Sequence, residues 1–238
     1  MIKKAAVIGA GSWGPAVSIA IADRGLSVTT YGKDPKLVEE INRDHCNSKY
    51  LPGISLPENI RATNRLEDVA DSPVIFLVVP SQVTRSVLEQ LREIGVPKET
   101  IIVSCSKGID PSSGKLMHQL TEECFPENPA AVLSGPSHAE EVARKKPALA
   151  VIGAEKEEIA EQIQQIFTLP WFRSYTSDDV IGIELGGVVK NVFAIAAGAV
   201  DGLKLGDNTK AAMVTRGLAE MTRLGEALGG KPDTFRGL

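Results

Sequence analysis

Residues 7–16 read VIGAGSWGPA. Val7 and Ile8 end an apolar strand, Gly9, Gly11 and Gly14 follow at G-x-G-x-x-G spacing, and a helix opens at about Ser12. In such a turn Gly9 permits the tight reversal, Gly11 lets the backbone approach a pyrophosphate, and Gly14 lets the helix pack close to its strand. The helix N-terminus then offers free N–H groups and a partial positive charge to phosphate. Pro15 falls in the first helical turn, where its missing N–H has no helical partner to lose. An ordinary strand–turn–helix junction has the same outline, so the remaining chain must decide whether this loop holds a dinucleotide.

Working outward, apolar strands recur. LSVTTYG (26–32), VIFLVVP (74–80), TIIVSC (100–105), AAVLSGP (130–136) and PALAVIG (147–153) read as strands, and VIFLVVP as a central parallel strand covered on both faces. Helical periodicity fills the gaps at about 12–24, 35–45, 82–94, 112–124, 137–145 and 155–167. NSKYLPGISLPENI (47–60) reads as a proline-studded loop. The alternation predicts an α/β fold with a Rossmann-type doubly wound sheet.

The pattern changes near residues 176–180. VIGIELGGVVKNVFAIAAGAV (180–200) is apolar almost all round and reads as a buried helix, and 208–229 as a second long helix. A further helix begins at Pro232. The chain therefore divides into a dinucleotide-binding domain, 1–178, and the start of an all-helical domain, 179–238, which looks truncated.

The 238 residues carry a net charge of −4 and are 43% hydrophobic, which gives no sign of a nucleic-acid partner. The N-terminus flows straight into the glycine loop and lacks a signal-peptide core. No uncharged apolar run is expected to reach the ~20 residues of a membrane span. Cys46, Cys105 and Cys124, like the three histidines, are scattered; they form no zinc pattern, so no metal site is expected and a reduced cytoplasmic setting fits best.

Four places carry candidate chemistry. After the second strand, where an NAD site usually has a carboxylate, stands Lys33, a partner for a 2′-phosphate, with Asp34 beside it. Lys107 in SCSKGID follows a buried strand and would aim a cation at the crevice. Ser137 and Glu140 make a capping box in SGPSHAEEV. Lys190 sits inside the apolar helix; burial there would lower its pKa and make it a general base, with Asn191 orienting the same ligand.

The segments GAGSWG, YLPGISLPENI, SKGI, SGPSHAEEVA, ELGGVVKNVFAIAAG and GDNTKAAMVTRGLAEMTRLG together resemble the bacterial NAD(P)-dependent glycerol-3-phosphate dehydrogenases, collinearly over essentially the whole chain. The resemblance implies hydride transfer between NAD(P)H and dihydroxyacetone phosphate, giving sn-glycerol 3-phosphate for phospholipid synthesis. It implies that Ser12, Trp13, Lys33, Lys107 and Ala139 contact the cofactor, that Lys107, Gly135 and Ser137 face the substrate, and that Lys190 is the general acid/base. A homodimer is a further expectation.

The chain departs from that family at Pro15 and at Asp34, where many relatives have a second basic residue; NAD and NADP both remain open. Relatives also continue past RGL with a glycine-rich turn and an arginine/asparagine motif for the substrate phosphate. Without it, this chain is expected to bind cofactor and turn over poorly or not at all. Three alternatives stay open: a related two-domain reductase of ketopantoate or hydroxyacid type, a non-catalytic dinucleotide-binding module, and an interaction protein with an idle glycine loop.

Overall fold

The computed structural model describes residues 2–136 and 138–236, the side chain of Arg236 excepted. In chain order the elements are β1 (Lys4–Ile8), α1 (Trp13–Asp23), β2 (Ser27–Tyr31), α2 (Pro35–Asp44), β3 (Cys46–Asn47), β4 (Leu51–Ser55), β5 (Ile60–Thr63) and β6 (Val74–Leu77). They continue with α3 (Ser81–Ile94), β7 (Ile101–Ser104), α4 (Met117–Cys124), β8 (Ala130–Ser134), α5 (Ala139–Ala143) and β9 (Ala148–Gly153). The last are α6 (Glu157–Phe167), β10 (Phe172–Ser177), α7 (Val180–Gly202) and α8 (Asp207–Ala227), then a 3-10 turn over Pro232–Arg236.

Eight strands form one sheet in the order β10-β9-β8-β7-β6-β1-β2-β5. Every pairing in it is parallel except β8 with β9. The two-residue period of β1 sorts its side chains between two cores: Ala5 and Val7 pack with α1 and α6, Ala6 and Ile8 with α3 and α4. Helices thus cover both faces, which is why β6, between β1 and β7, is wholly buried, as VIFLVVP foretold.

Three stretches differ from the sequence reading. Residues 47–60 are not simply a loop: β3 and β4 pair as a hairpin. Its organiser is Asn47, fully buried, whose Nδ2 donates to the Ala10 carbonyl at 3.0 Å while its Oδ1 accepts from the Tyr50 N–H at 3.0 Å. Strands β5 and β10, also unforeseen, are the two edges of the sheet. Third, α7 is not buried along its length. Val180, Gly182–Leu185 and Val200 are buried, whereas Val192 and Ile195 are 62% and 76% exposed. Its N-terminal third rests on β8 and β9, and beyond that α8 is its main neighbour.

Helix α7 also corrects the expectation about span length. At 23 residues and mean hydropathy 1.7 it is long and apolar enough to cross a membrane by those two measures. Its start is nevertheless knitted into the fold. Asp179, 5% exposed, accepts from Gly182 N at 2.9 Å, Lys231 N at 2.8 Å and Thr234 Oγ1 at 2.6 Å, tying the helix N-terminus to the final turn.

Candidate functional site

The strand order reverses direction between β1 and β6, and in such sheets ligands bind beyond the carboxyl ends of the strands at that point. A cavity of about 490 Å³ lies there, bounded by Gly11–Trp13 after β1, Val78–Pro80 after β6, Cys105–Lys107 after β7, and His138–Glu140. The glycines of the opening motif have the geometry that such a turn requires. Gly9 has φ +126°, and a Cβ there would lie 2.2 Å from the Val78 carbonyl oxygen. A Cβ on Gly14 would lie 1.8 Å from the Gly9 carbonyl oxygen. Gly11 is exposed, and a Cβ there would meet nothing within 4 Å, so its open side borders the cavity. A backbone cradle at a helix N-terminus, with room for a mononucleotide half and more, fits a dinucleotide.

Of the expected cofactor residues, Gly11, Ser12, Trp13, Lys107 and Ala139 are brought together around this cavity, and Gly9 and Gly14 shape its floor. Lys33 is exposed after β2 and does not line it. Asp34 caps α2, accepting from Lys36 N at 3.0 Å, so its carboxylate is already engaged.

A second cavity, about 580 Å³, opens beside the first, with Lys107 in the walls of both. Lys190 of α7 stands in its wall, with Gly135, Gly186 and Gly187 close by, and Leu149, Val151 and Tyr175 form an apolar side. The glycine pair of α7 explains the close approach: a Cβ on Gly187 would lie 2.8 Å from Ser134 Oγ and 3.9 Å from Lys107 Cγ. Gly135, with φ +153°, offers its carbonyl to Lys107 Nζ at 3.3 Å.

The loop that carries Lys107 is firmly held. Ser106 Oγ donates to the Val79 carbonyl at 2.6 Å, and Asp110 accepts from Ser113 Oγ at 2.6 Å, Ser112 Oγ at 2.7 Å and Arg85 at 3.1 Å. Those bonds, the serine hydroxyls first and then Arg85, hold the Asp110 carboxyl far below the usual range. Partial desolvation in the cleft and the charge of Lys190 push the Lys107 ammonium below the ordinary lysine value.

This reverses part of the sequence reading. Lys190 and Lys107 are both exposed, so burial provides no argument for the basicity of Lys190; it is Lys107 whose pKa is lowered, by partial desolvation in the cleft and by the charge of Lys190. Asn191, also exposed, is not among the residues lining the cleft. Ser137, and with it the capping box, lies outside the described residues; α5 begins at Ala139 with His138 as N-cap. Sequence reasoning missed Val78–Pro80, His138, Tyr175 and Thr234 as cavity walls. Only the first left a signal: they follow the most apolar strand, next to β1.

A Rossmann-type sheet, a glycine cradle at its switch point and two lysines across an adjoining cleft define a dinucleotide-dependent oxidoreductase with a helical second domain. Models of the NAD-dependent glycerol-3-phosphate dehydrogenase N-terminus and C-terminus match residues 4–160 and 179–238. The chain belongs to that family. It is 47% identical to the glycerol-3-phosphate dehydrogenase of Bacillus cereus (strain B4264), named as NAD(P)+-dependent, and matches over its whole length and 71% of the relative's. The crystal structure of glycerol-3-phosphate dehydrogenase from Coxiella burnetii superposes with a TM-score of 0.93 at 36% identity, covering 100% of this chain and 73% of that one. The enzyme of Saccharomyces cerevisiae superposes at 0.85 with 28% identity, covering 98% and 73%.

Proposed function

We propose that the chain interconverts dihydroxyacetone phosphate and sn-glycerol 3-phosphate with NAD(P)H. The observation that carries this is the placement of Lys107 in the walls of both cavities, opposite Lys190. A phosphorylated three-carbon ketone carries its charge a few ångströms from its carbonyl, and two cations across one cleft suit both ends. The bound cofactor supplies or accepts the hydride. Gly11–Trp13 and the first N–H groups of α1 hold its phosphates. Lys190 donates a proton to the ketone oxygen as that oxygen gains charge, and takes it back from the C2 hydroxyl in reverse. Lys107, held by the Gly135 carbonyl, stabilises the developing oxyanion or the phosphate. Ser137 and Asn191 are proposed as further substrate contacts, and Lys33 as the determinant of the 2′-phosphate.

Slow turnover is part of the proposal: Lys107 and Lys190, the cations in the described lining of the cleft, hold a dianion less tightly than a bidentate guanidinium does. The product is the backbone of glycerophospholipids, which puts the reaction at the head of their synthesis, in the cytoplasm. We place the boundary between the two domains at 178/179, and propose that the exposed apolar residues of α7 and α8 serve a homodimer.

The test is a substrate panel with NADH and NADPH: dihydroxyacetone phosphate, ketopantoate and short 2-oxo acids. Oxidation with dihydroxyacetone phosphate above all others supports the reading. Preference for ketopantoate or a 2-oxo acid, or tight cofactor binding without turnover on any of them, overturns it.

A further inference from the structure

Glu184 is 7% exposed, in the middle of the apolar opening of α7. A buried carboxylate must be paired and hydrogen-bonded to be tolerated. Its partners lie on α4, 66 positions earlier in the chain: Glu184 Oε1 accepts from the His118 backbone N–H at 3.1 Å, and Oε2 lies 2.6 Å from His118 Nδ1. His118 is the second residue of α4, so the carboxylate also occupies that helix's electropositive N-terminus. On its other side Glu184 helps wall a cavity of about 10 Å³, shared with Val188 of α7, Ser104 of β7, and Ser106, Lys107 and Gly108 of the loop that follows it.

We infer that Glu184 is a positioning residue: by seating α7 on the N-terminus of α4, it fixes where Lys190 stands relative to Lys107. The inference rests on the reading of those two lysines given above. Lys190 lies six positions beyond Glu184, roughly 9 Å of helix rise. Gly187 lies between them, at the tight crossing over Ser134. Beyond Leu185 most of α7 is uncovered, so the anchored segment sets the direction of the rest. The pair also joins the two parts of the molecule, since α4 packs on the sheet and α7 opens the helical part. Other charges near His118 are Glu122 and Glu155, neither of which hydrogen-bonds α7 in this arrangement.

The experiment compares Glu184→Ala, Glu184→Asp and Glu184→Gln with the wild-type chain. The pH-dependence of Lys107 acetylation by acetic anhydride, followed by peptide mass spectrometry, reports the desolvation and the neighbouring charge that α7 imposes. Steady-state kinetics with dihydroxyacetone phosphate, NADH binding and thermal melting accompany it, with Lys190→Met marking the profile of Lys107 freed of its neighbour's charge. Glu184→Ala moves the Lys107 profile up toward that of an ordinary lysine and lowers kcat about 100-fold, the scale of a 1 Å misplacement. NADH affinity holds. Glu184→Gln, which retains an acceptor for the His118 N–H, restores most of both. If Glu184→Ala does not fold, Glu184→Asp, one methylene shorter, is read the same way. A folded variant with an unchanged Lys107 profile overturns the inference, whatever happens to kcat. If the wild-type chain shows no turnover, the function proposed above fails, and the Lys107 profile still decides the role of Glu184.

Discussion

Replacing Gly14 by alanine tests the cradle most sharply. The new Cβ would lie 1.8 Å from the Gly9 carbonyl oxygen and 2.8 Å from its carbon, where ordinary contact begins at 3.4 Å. Both obstructing atoms are backbone, and Gly9 itself is hemmed in by the Val78 carbonyl. Relief therefore requires α1 to move away from β1 by on the order of 1.5 Å, and overpacking of this kind costs about 1–3 kcal/mol of stability. The same movement withdraws the N–H groups at the start of α1 from the phosphates. Losing two charge-assisted bonds, each worth about 1.5–3 kcal/mol, weakens binding by at least 100-fold. The assay is quenching or enhancement of NADH fluorescence, with melting temperature measured alongside. Gly11→Ala is the internal contrast: nothing stands within 4 Å of its Cβ, so the melting temperature holds while cofactor affinity falls. A Gly14→Ala protein that melts like wild type and binds NADH within threefold of it would refute the reasoning.

Three further outcomes are expected. Asn47→Ala removes the hairpin's bond to the Ala10 carbonyl and costs about 1–3 kcal/mol in urea unfolding, with weaker NADH binding because Ala10 belongs to the glycine loop. For His118, burial opposes the imidazolium, but the Glu184 hydrogen bond and charge outweigh it and raise its pKa. Its contribution to stability is therefore complete at pH below the ordinary histidine value and is lost as pH rises through the folded value. The stability gap between wild type and His118→Gln should accordingly be wider at pH 6 than at pH 8.5, and an equal or reversed gap refutes the assignment. Lys190→Met removes the positive neighbour of Lys107, so the Lys107 amine should titrate higher, as nuclear magnetic resonance of 13C-dimethylated lysines would register.

Most of the sheet was legible because burial on both faces leaves little choice of residue: β6 is a continuous apolar run, and β1 and β7 are apolar but for one end residue each. The edges were not. Strand β10 (FRSYTS) carries a half-polar pattern, and β5 is four residues long. The β3–β4 hairpin hangs on one buried asparagine whose partner is a backbone carbonyl, which no local pattern announces. At the site, glycine spacing together with the strand–helix alternation around it delivered the glycine cradle, and strand-end position delivered Lys107. The state of Lys190 was misread because an apolar helix tells that something should cover it, not what does; in these residues much of it faces solvent. Glu184 did leave a trace, a lone carboxylate within VIGIELGG, but its partner's distance in sequence hid the pairing.

The central claim is that Lys190 exchanges the proton while Lys107 holds the polarised end of a phosphorylated ketone. Its most direct measurement is the initial loss of NADH or NADPH absorbance on adding dihydroxyacetone phosphate, for wild type and Lys190→Met, with cofactor affinity measured on both. The account predicts ketone-dependent oxidation in wild type that falls about 100-fold or more in Lys190→Met, within the range for losing a general acid, at unchanged cofactor affinity. Equal rates in the two proteins, or cofactor bound by both with no ketone-dependent oxidation by either, would contradict it.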